Sequence, residues 1–272
     1  MIRRLHAQSV FVGQVPLDPT QARHARDVLR LKEGDQVELF DDGGAVALGT
    51  LHFIGPKDVV ATVQTLTHVP ASDAPRVVVA SAVPKGERAD WMVAKLSELG
   101  VAAFIPLQTE RSVVKPEGKN KRERWLRIAT ESAKQSRRTG VMRVEQLRAL
   151  AGVLEEKRLA FHLSTSPTAE LLPNALANWR GDELMLLIGP EGGWTDAEIQ
   201  SFAAAGIRGV RLTSTILRVE TAAITAAGIA MVLGQRPPED HSVTGQSHNL
   251  SVHASGGGAA RLPSVVNRPL RN

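Results

Sequence analysis

The chain of 272 residues contains no cysteine. Disulfides, thiolate metal sites and a nucleophilic thiol are therefore excluded, and the composition is compatible with a reducing cytoplasm. Apart from an Ala-rich segment near residue 225, too short and small-sided to span a bilayer, no uncharged apolar run reaches the roughly 18 residues of a membrane span. Arg3 and Arg4 are followed by no apolar stretch before Val12, so no secretory signal is expected. The eight histidines show no ligand spacing and three of them, His241, His248 and His253, lie near the end of the chain, so no metal is expected. Two phosphate loops are also missing: there is no G-x-x-x-x-G-K-[ST], and no G-x-G-x-x-G opening a helix.

The chain is organised around residues 184–233. Leu184 to Ile188 is a charge-free apolar run that suits a buried strand. It ends in Gly189-Pro190-Glu191-Gly192-Gly193, and Thr195 with Glu198 then forms a capping box that starts a helix. Gly206 ends that helix. Val210 and Leu212 begin a second strand, followed by the polar loop Thr213-Ser214-Thr215 and then Ile216-Leu217-Arg218-Val219-Glu220. Thr221 to Leu233 is uncharged and predicts a helix buried on most sides. In α/β folds ligands sit at the carboxyl ends of strands, where both loops fall. The glycines either make tight turns or let backbone N–H groups approach a ligand. Arg218 and Glu220 are either paired with each other or functional.

The remaining chain reads as two regions and a tail. Residues 1–70 suggest a small β-barrel: a short strand at Ser9 to Val12, a helix from Pro19 to Leu31, and three alternating runs between Val37 and Val63, with a hairpin turn at Asp42-Gly43-Gly44. Ala71 to Pro75 is a linker. Arg76 to Val83, Asp90 to Leu99 and Val101 to Leu107 form a strand-helix-strand unit. Residues 111–143 carry eleven Lys or Arg against three Glu, an excess larger than the net charge of +5 of the whole chain. A helix from Lys121 to Arg138 would present this charge either as a solvated face or to a polyanion, whose phosphates it would neutralise without reading sequence. Leu159 to Leu163 is a strand and Thr168 to Trp179 a helix. Residues 237–272, with their Gly256-Gly257-Gly258 run, have the composition of a disordered tail.

The pair GPEGGWTDAEI and ILRVETA resembles the knotted SPOUT methyltransferases and, within them, the RsmE family, which methylates N3 of a uridine in 16S ribosomal RNA of the small subunit. The stretches KGER, ELGV and TERS and the run 131–138 resemble that family too. The resemblance covers roughly residues 1–236. It implies an α/β trefoil-knot methyltransferase domain over 76–236, preceded by a PUA-like β-barrel RNA-binding domain over 1–70. It implies S-adenosyl-L-methionine as cofactor, a cytoplasmic homodimer with its site at the subunit interface, and a ribosomal RNA partner.

On that resemblance Leu187, Gly189, Pro190, Glu191, Gly192, Gly193, Leu212, Ile216 and Leu217 are expected to bind the cofactor. Arg218 is expected to stabilise the uracil anion or bind the substrate phosphate, with Glu220 orienting it. His24, Arg26, Arg30, Arg111, Arg122, Arg124, Arg137 and Arg138 are expected RNA contacts. No residue stands out as the base that removes the N3 proton. One departure is visible: the family has Leu-Gly-x-Arg before ILR, and this chain has Leu212-Thr213-Ser214-Thr215. Another SPOUT enzyme acting on a different RNA site, and a non-catalytic RNA-binding assembly factor, remain open alternatives.

Overall fold

A computed structural model describes residues 2–55, 58–68, 75–114, 119–179 and 183–235. The linker expected at 71–75, save for Pro75, and the tail expected from 237 lie outside these residues.

The first sheet has five strands: β1 (Arg3–His6), β2 (Gly13–Pro16), β3 (Gln36–Phe40), β4 (Ala45–Phe53) and β5 (Val59–His68). Their order is β1-β3-β4-β5-β2. β1 pairs parallel to β3 and the other pairs are antiparallel. The expected strand at Ser9–Val12 is absent. Those residues form a connecting loop in which the Val10 N–H is held by the Asp41 carboxylate at 2.8 Å. Alternation along β3 to β5 turns Val37, Leu39, Leu51, Ala61 and Val63 into one core. In β4 the register shifts between Ala47 and Gly49, where a Cβ would stand 3.1 Å from Ala61 Cβ, so the close strand approach requires glycine. The short helix α1 (Pro19–Arg23) is capped by Asp18 and runs into a π-helical turn over His24–Val28.

The second sheet is parallel. It contains β6 (Arg76–Ser81), β7 (Ala103–Gln108), β8 (Arg143–Val144), β9 (Arg148–Ala149), β10 (Leu159–Leu163), β11 (Glu170–Leu171), β12 (Glu183–Ile188) and β13 (Arg208–Arg211). The order is β11-β13-β10-β12-β6-β7-β8, with β9 also on β7. The central strands β6, β7 and β12 are buried on both faces, which is why they read as unbroken apolar runs. On one face lie α2 (Glu87–Glu98), α3 (Lys119–Gln135), α5 (Leu172–Ala175) and α7 (Val219–Leu233), around Phe104, Trp125 and Leu186. On the other lie α4 (Leu150–Leu154) and α6 (Asp196–Ala204), around Ile105, Leu187 and Phe202. Fully burying each such side chain contributes roughly 1.5–3 kcal/mol.

Gly100 and Gly206 end α2 and α6 at φ +95° and +71°, in the left-handed region where glycine carries no Cβ penalty. The long helix expected at Thr168–Trp179 is instead the two-residue strand β11 and the single turn α5, which Pro173 opens. The chain therefore passes from β12 through α6 on one face to β13 in the sheet, then to α7 on the opposite face. With β10 between β12 and β13, the carboxyl ends of the three parallel strands lie side by side.

Candidate active site

Both loops of the 184–233 segment leave the carboxyl ends of their strands. With the end of β10 they line one cleft of about 390 Å³, within the range of small-molecule sites. Gly189, Pro190, Glu191, Gly192 and Gly193 form one wall, and Leu212, Ile216 and Leu217 face them together with Thr213, Ser214 and Thr215. Leu187 does not join them. It is fully buried and packs with Phe202 under α6, because alternation along β12 turns it to the other face; its neighbour Ile188 lines the cleft instead.

The glycines are needed where they stand. A Cβ on Gly189 would lie 2.9 Å from the Trp194 indole, which folds over that backbone. Trp194 is held there by its Nε1–H, which donates to the Leu163 carbonyl at 2.9 Å, and by edge contact with Phe202 at 4.8 Å. Gly193 has φ +70° with open space where a Cβ would point, and its N–H closes a turn onto the Pro190 carbonyl at 2.9 Å. At its glycines the loop therefore presents bare backbone to the cleft.

A brace holds this loop from a third segment. Glu198 completes the capping box of α6 with Thr195, and its Oε1 also accepts the Glu110 N–H at 2.9 Å. The next residue, Arg111, donates from Nη1 to the Gly192 carbonyl at 2.8 Å and to the Trp194 carbonyl at 3.4 Å. Arg111, expected to contact RNA, thus lines the cleft and ties the loop after β7 to the glycine loop. The expected departure also has a local structure. Thr213 Oγ1 donates to the Thr215 carbonyl at 2.8 Å and accepts the Thr215 N–H at 3.1 Å, so the side chain that replaces glycine organises its own turn.

Arg218 is the exposed N-cap residue of α7, and Glu220, two residues on in the first turn, is buried. The expected pairing between them is not formed: the ionic partner of Glu220 is Arg88 of α2, at 3.5 Å. Arg88 and Trp91 face the same region and were missed by sequence reasoning, as were His162 and Trp194. The signal for His162 and Trp194 was their place at or just beyond the ends of β10 and β12. His162 is buried and stacks on Phe202 at 4.3 Å, and burial pushes its pKa below the ordinary histidine value.

The expected RNA contacts separate into two groups. Arg138 is structural: its guanidinium donates to the carbonyls of Ser97, Gly100 and Val101 at 2.8, 3.2 and 3.1 Å, sealing the end of α2. Burial lowers its pKa, with the Asp42 carboxylate acting the other way. Arg122 donates to the Val144 carbonyl at 2.8 Å, and Arg26 to the Gly55 carbonyl at 2.8 Å while lying over the Phe53 ring. Arg124 pairs with Asp90 at 2.6 Å, and the half-buried His24 lies 3.6 Å from Glu131. Burial lowers the His24 pKa, helped by Lys134 and opposed by Glu131. Arg30 and Arg137 are exposed, both at positive φ (53° and 57°). Among the described residues no group of three His, Asp or Glu side chains stands close enough to hold a metal ion, and no helix is long and apolar enough to cross a membrane.

Comparison with known proteins agrees with this architecture. A family model described as an RNA methyltransferase domain matches residues 72–231, and one described as an RNA methyltransferase PUA domain matches residues 17–64. The ribosomal RNA small subunit methyltransferase E of Bacillus subtilis is 34% identical over 217 residues, covering 76% of this chain and 85% of the relative. A Legionella pneumophila structure solved with the bound cofactor SAM superposes with a TM-score of 0.77 at 27% identity, over 85% of this chain and 98% of that one. The ribosomal RNA small subunit methyltransferase E of Neisseria gonorrhoeae, solved bound to S-adenosyl methionine, does so with a TM-score of 0.75 at 26% identity, over 86% and 98%. A backbone-walled cleft at the switch between two parallel strands, in a chain matched this widely, establishes that the protein belongs to the ribosomal RNA small subunit methyltransferase E family of RNA methyltransferases.

Proposed function

We propose that the chain binds S-adenosyl-L-methionine in the cleft between the 189–194 and 212–217 loops and methylates N3 of a uridine in 16S ribosomal RNA of the small subunit. The observation that carries this reading is the convergence of the two loops on one cleft in a chain of this family. The cleft fits the methyl donor chemically. Exposed loop backbone supplies hydrogen-bond partners for an adenine edge, and Ile188, Leu212 and Leu217 supply apolar walls for its faces. Glu191 is the carboxylate of the wall and Arg111 its guanidinium, so each end of the donor's amino-acid group has an opposite charge available. When bound, the donor supplies an electrophilic methyl group. The chain's own task is to orient the acceptor nitrogen, keep water out and stabilise the charge that develops on the base.

Residues 1–70 act in this reading as a PUA-like barrel that docks the RNA beside the catalytic domain of residues 76–236. The passage of the chain from α6 across to α7 supports a trefoil knot around the 212–218 loop. The exposed apolar residues Ile216 in that loop and Val232 and Leu233 at the end of α7 support a homodimer that covers them. The setting is the cytoplasm, where ribosomal subunits are assembled.

The test is calorimetric titration of the purified protein with S-adenosyl-L-methionine, then methylation of unmodified small subunits and mass spectrometry of the digested nucleosides. Donor binding with 3-methyluridine as product is expected. A modified ribose or another base would replace this reading with a different methylation specificity. Failure to bind donor would leave an RNA-binding protein.

A further inference from the structure

The segment that follows β13 has two sides. Leu217 and Val219 line the methyl-donor cleft, whereas Arg218, Glu220 and Thr221 line a second cleft of about 410 Å³ with Glu87, Arg88 and Trp91 of α2. Alternate residues of one stretch of chain thus face two neighbouring clefts.

The second cleft contains a buried carboxylate. Glu220 is 5% exposed; Arg88 Nη1 is 3.5 Å from its Oε1, and its Oε2 has no hydrogen-bond partner among the described residues. A buried carboxylate oxygen without a hydrogen-bond donor is costly, and such groups persist where function needs them. The other charged groups of the cleft are Arg88 and the exposed Glu87 from α2, and Arg218 from the start of α7. Trp91 is 50% exposed, a large indole left in solvent on the cleft wall.

These groups match one nucleobase. The edge of uracil presents O4, N3–H and O2: two acceptors and one hydrogen-bond donor. The cleft presents two guanidinium groups and one desolvated carboxylate, the complementary set. Cytosine presents an amine and an unprotonated N3 on the same edge, which would face a guanidinium and the carboxylate unfavourably. Bases drawn out of RNA are held by stacking on aromatic side chains, which Trp91 offers.

We propose that this second cleft seats the uracil ring of the substrate, with Trp91 as stacking face, Arg88 and Arg218 on the carbonyl oxygens, and Glu220 as acceptor of the N3 proton. The inference rests on the proposed methylation at N3. The N3–H bond breaks, its electron pair stays on nitrogen, and the proton passes to a carboxylate oxygen of Glu220, while the two arginines hold the charge that spreads to O2 and O4. The nitrogen pair would then form the new N3–C bond to the methyl group that the donor would supply when bound, with the donor's sulfur keeping the electron pair of the broken S–C bond.

The test uses the full-length protein with unmodified small ribosomal subunits as probe. Glu220→Gln is expected to lower kcat by about 100-fold or more at neutral pH with donor affinity unchanged by calorimetry. The deficit should shrink in alkaline buffer, where uridine N3 ionises unaided. Trp91→Ala is expected to raise KM for the subunit about 10-fold, and Trp91→Phe to restore it. Without methyl donor, subunit binding should quench tryptophan fluorescence in the wild type and distinctly less in Trp91→Phe. A Glu220→Gln enzyme within about threefold of wild-type kcat, or one whose deficit is the same at every pH, overturns the assignment of Glu220. Equal quenching in Trp91→Phe, or an unchanged KM in Trp91→Ala, overturns the stacking site. Absence of 3-methyluridine from the wild-type reaction would instead refute the proposed function itself.

Discussion

The glycine loop and the basic segment teach opposite lessons. In 189–193 every residue singled out from sequence lines one cleft. In 111–138 the cations look alike in sequence, yet Arg138 seals a helix end, Arg122 and Arg124 hold neighbouring elements and Arg111 braces the cleft, while Arg137 stands exposed. The difference is physical. A glycine's role follows from the backbone on which it sits, whereas a guanidinium on a long flexible stem takes whichever acceptor the fold brings near.

Substitutions can break or sharpen this contrast. The largest effect is expected at Gly189. A methyl group there meets the Trp194 ring at 2.9 Å, displacing the indole that covers the loop. Gly189→Ala should lower donor affinity on the order of 100-fold, since even small misplacements in preorganised sites have such effects; calorimetry reads this directly. Arg138→Ala comes next. It leaves three backbone carbonyls at the end of α2 without their guanidinium and should destabilise the fold by about 3 kcal/mol. Urea denaturation measures it, and the salt dependence of RNA binding should not change beyond what unfolding explains.

Arg111→Ala removes the hydrogen bond to Gly192 and should weaken donor binding about 10-fold, the size of one charge-assisted hydrogen bond. A change confined to RNA affinity would return Arg111 to the group of RNA contacts. Arg137→Ala should leave stability and donor binding intact and reduce the slope of log affinity against log salt by about 1. The smallest effect concerns Asp42. Partial desolvation opposes ionisation of this largely exposed carboxyl, but hydrogen bonds from His6 and the Val141 N–H, with the charges of His6 and Arg138 nearby, outweigh that and hold its pKa below the ordinary value. A carboxyl depressed in the folded state adds stability above its unfolded pKa, and that stability fades as pH falls through the folded value. The denaturation midpoint of Asp42→Asn should therefore converge on the wild type in acid and fall below it toward neutral pH.

Legibility in the sequence tracks how local each cause is. The capping box at Thr195 and Glu198, the terminating glycines 100 and 206 and the unbroken apolar strands were readable because neighbours in sequence decide them. The helix expected at 168–179 was not, since a two-residue strand on β13 captured its start. Leu187 was misjudged by one step of strand alternation. The partner of Glu220 was invisible, because Arg88 lies 132 positions earlier and meets it only when α2 and α7 pack together.

The sequence by itself determined that two backbone-rich loops would lie at strand ends, that a basic segment would sit in the same domain, and which family's motifs these are. Those properties follow from residue type and short-range spacing. Only the tertiary structure decided which cations are free, that Arg111 and Glu198 brace the glycine loop from the end of β7, and that Glu220 is buried with an unpartnered oxygen beside Arg88 and Trp91. Each of those depends on strand order and helix packing, which bring distant residues within hydrogen-bonding distance and exclude the water that would otherwise satisfy them.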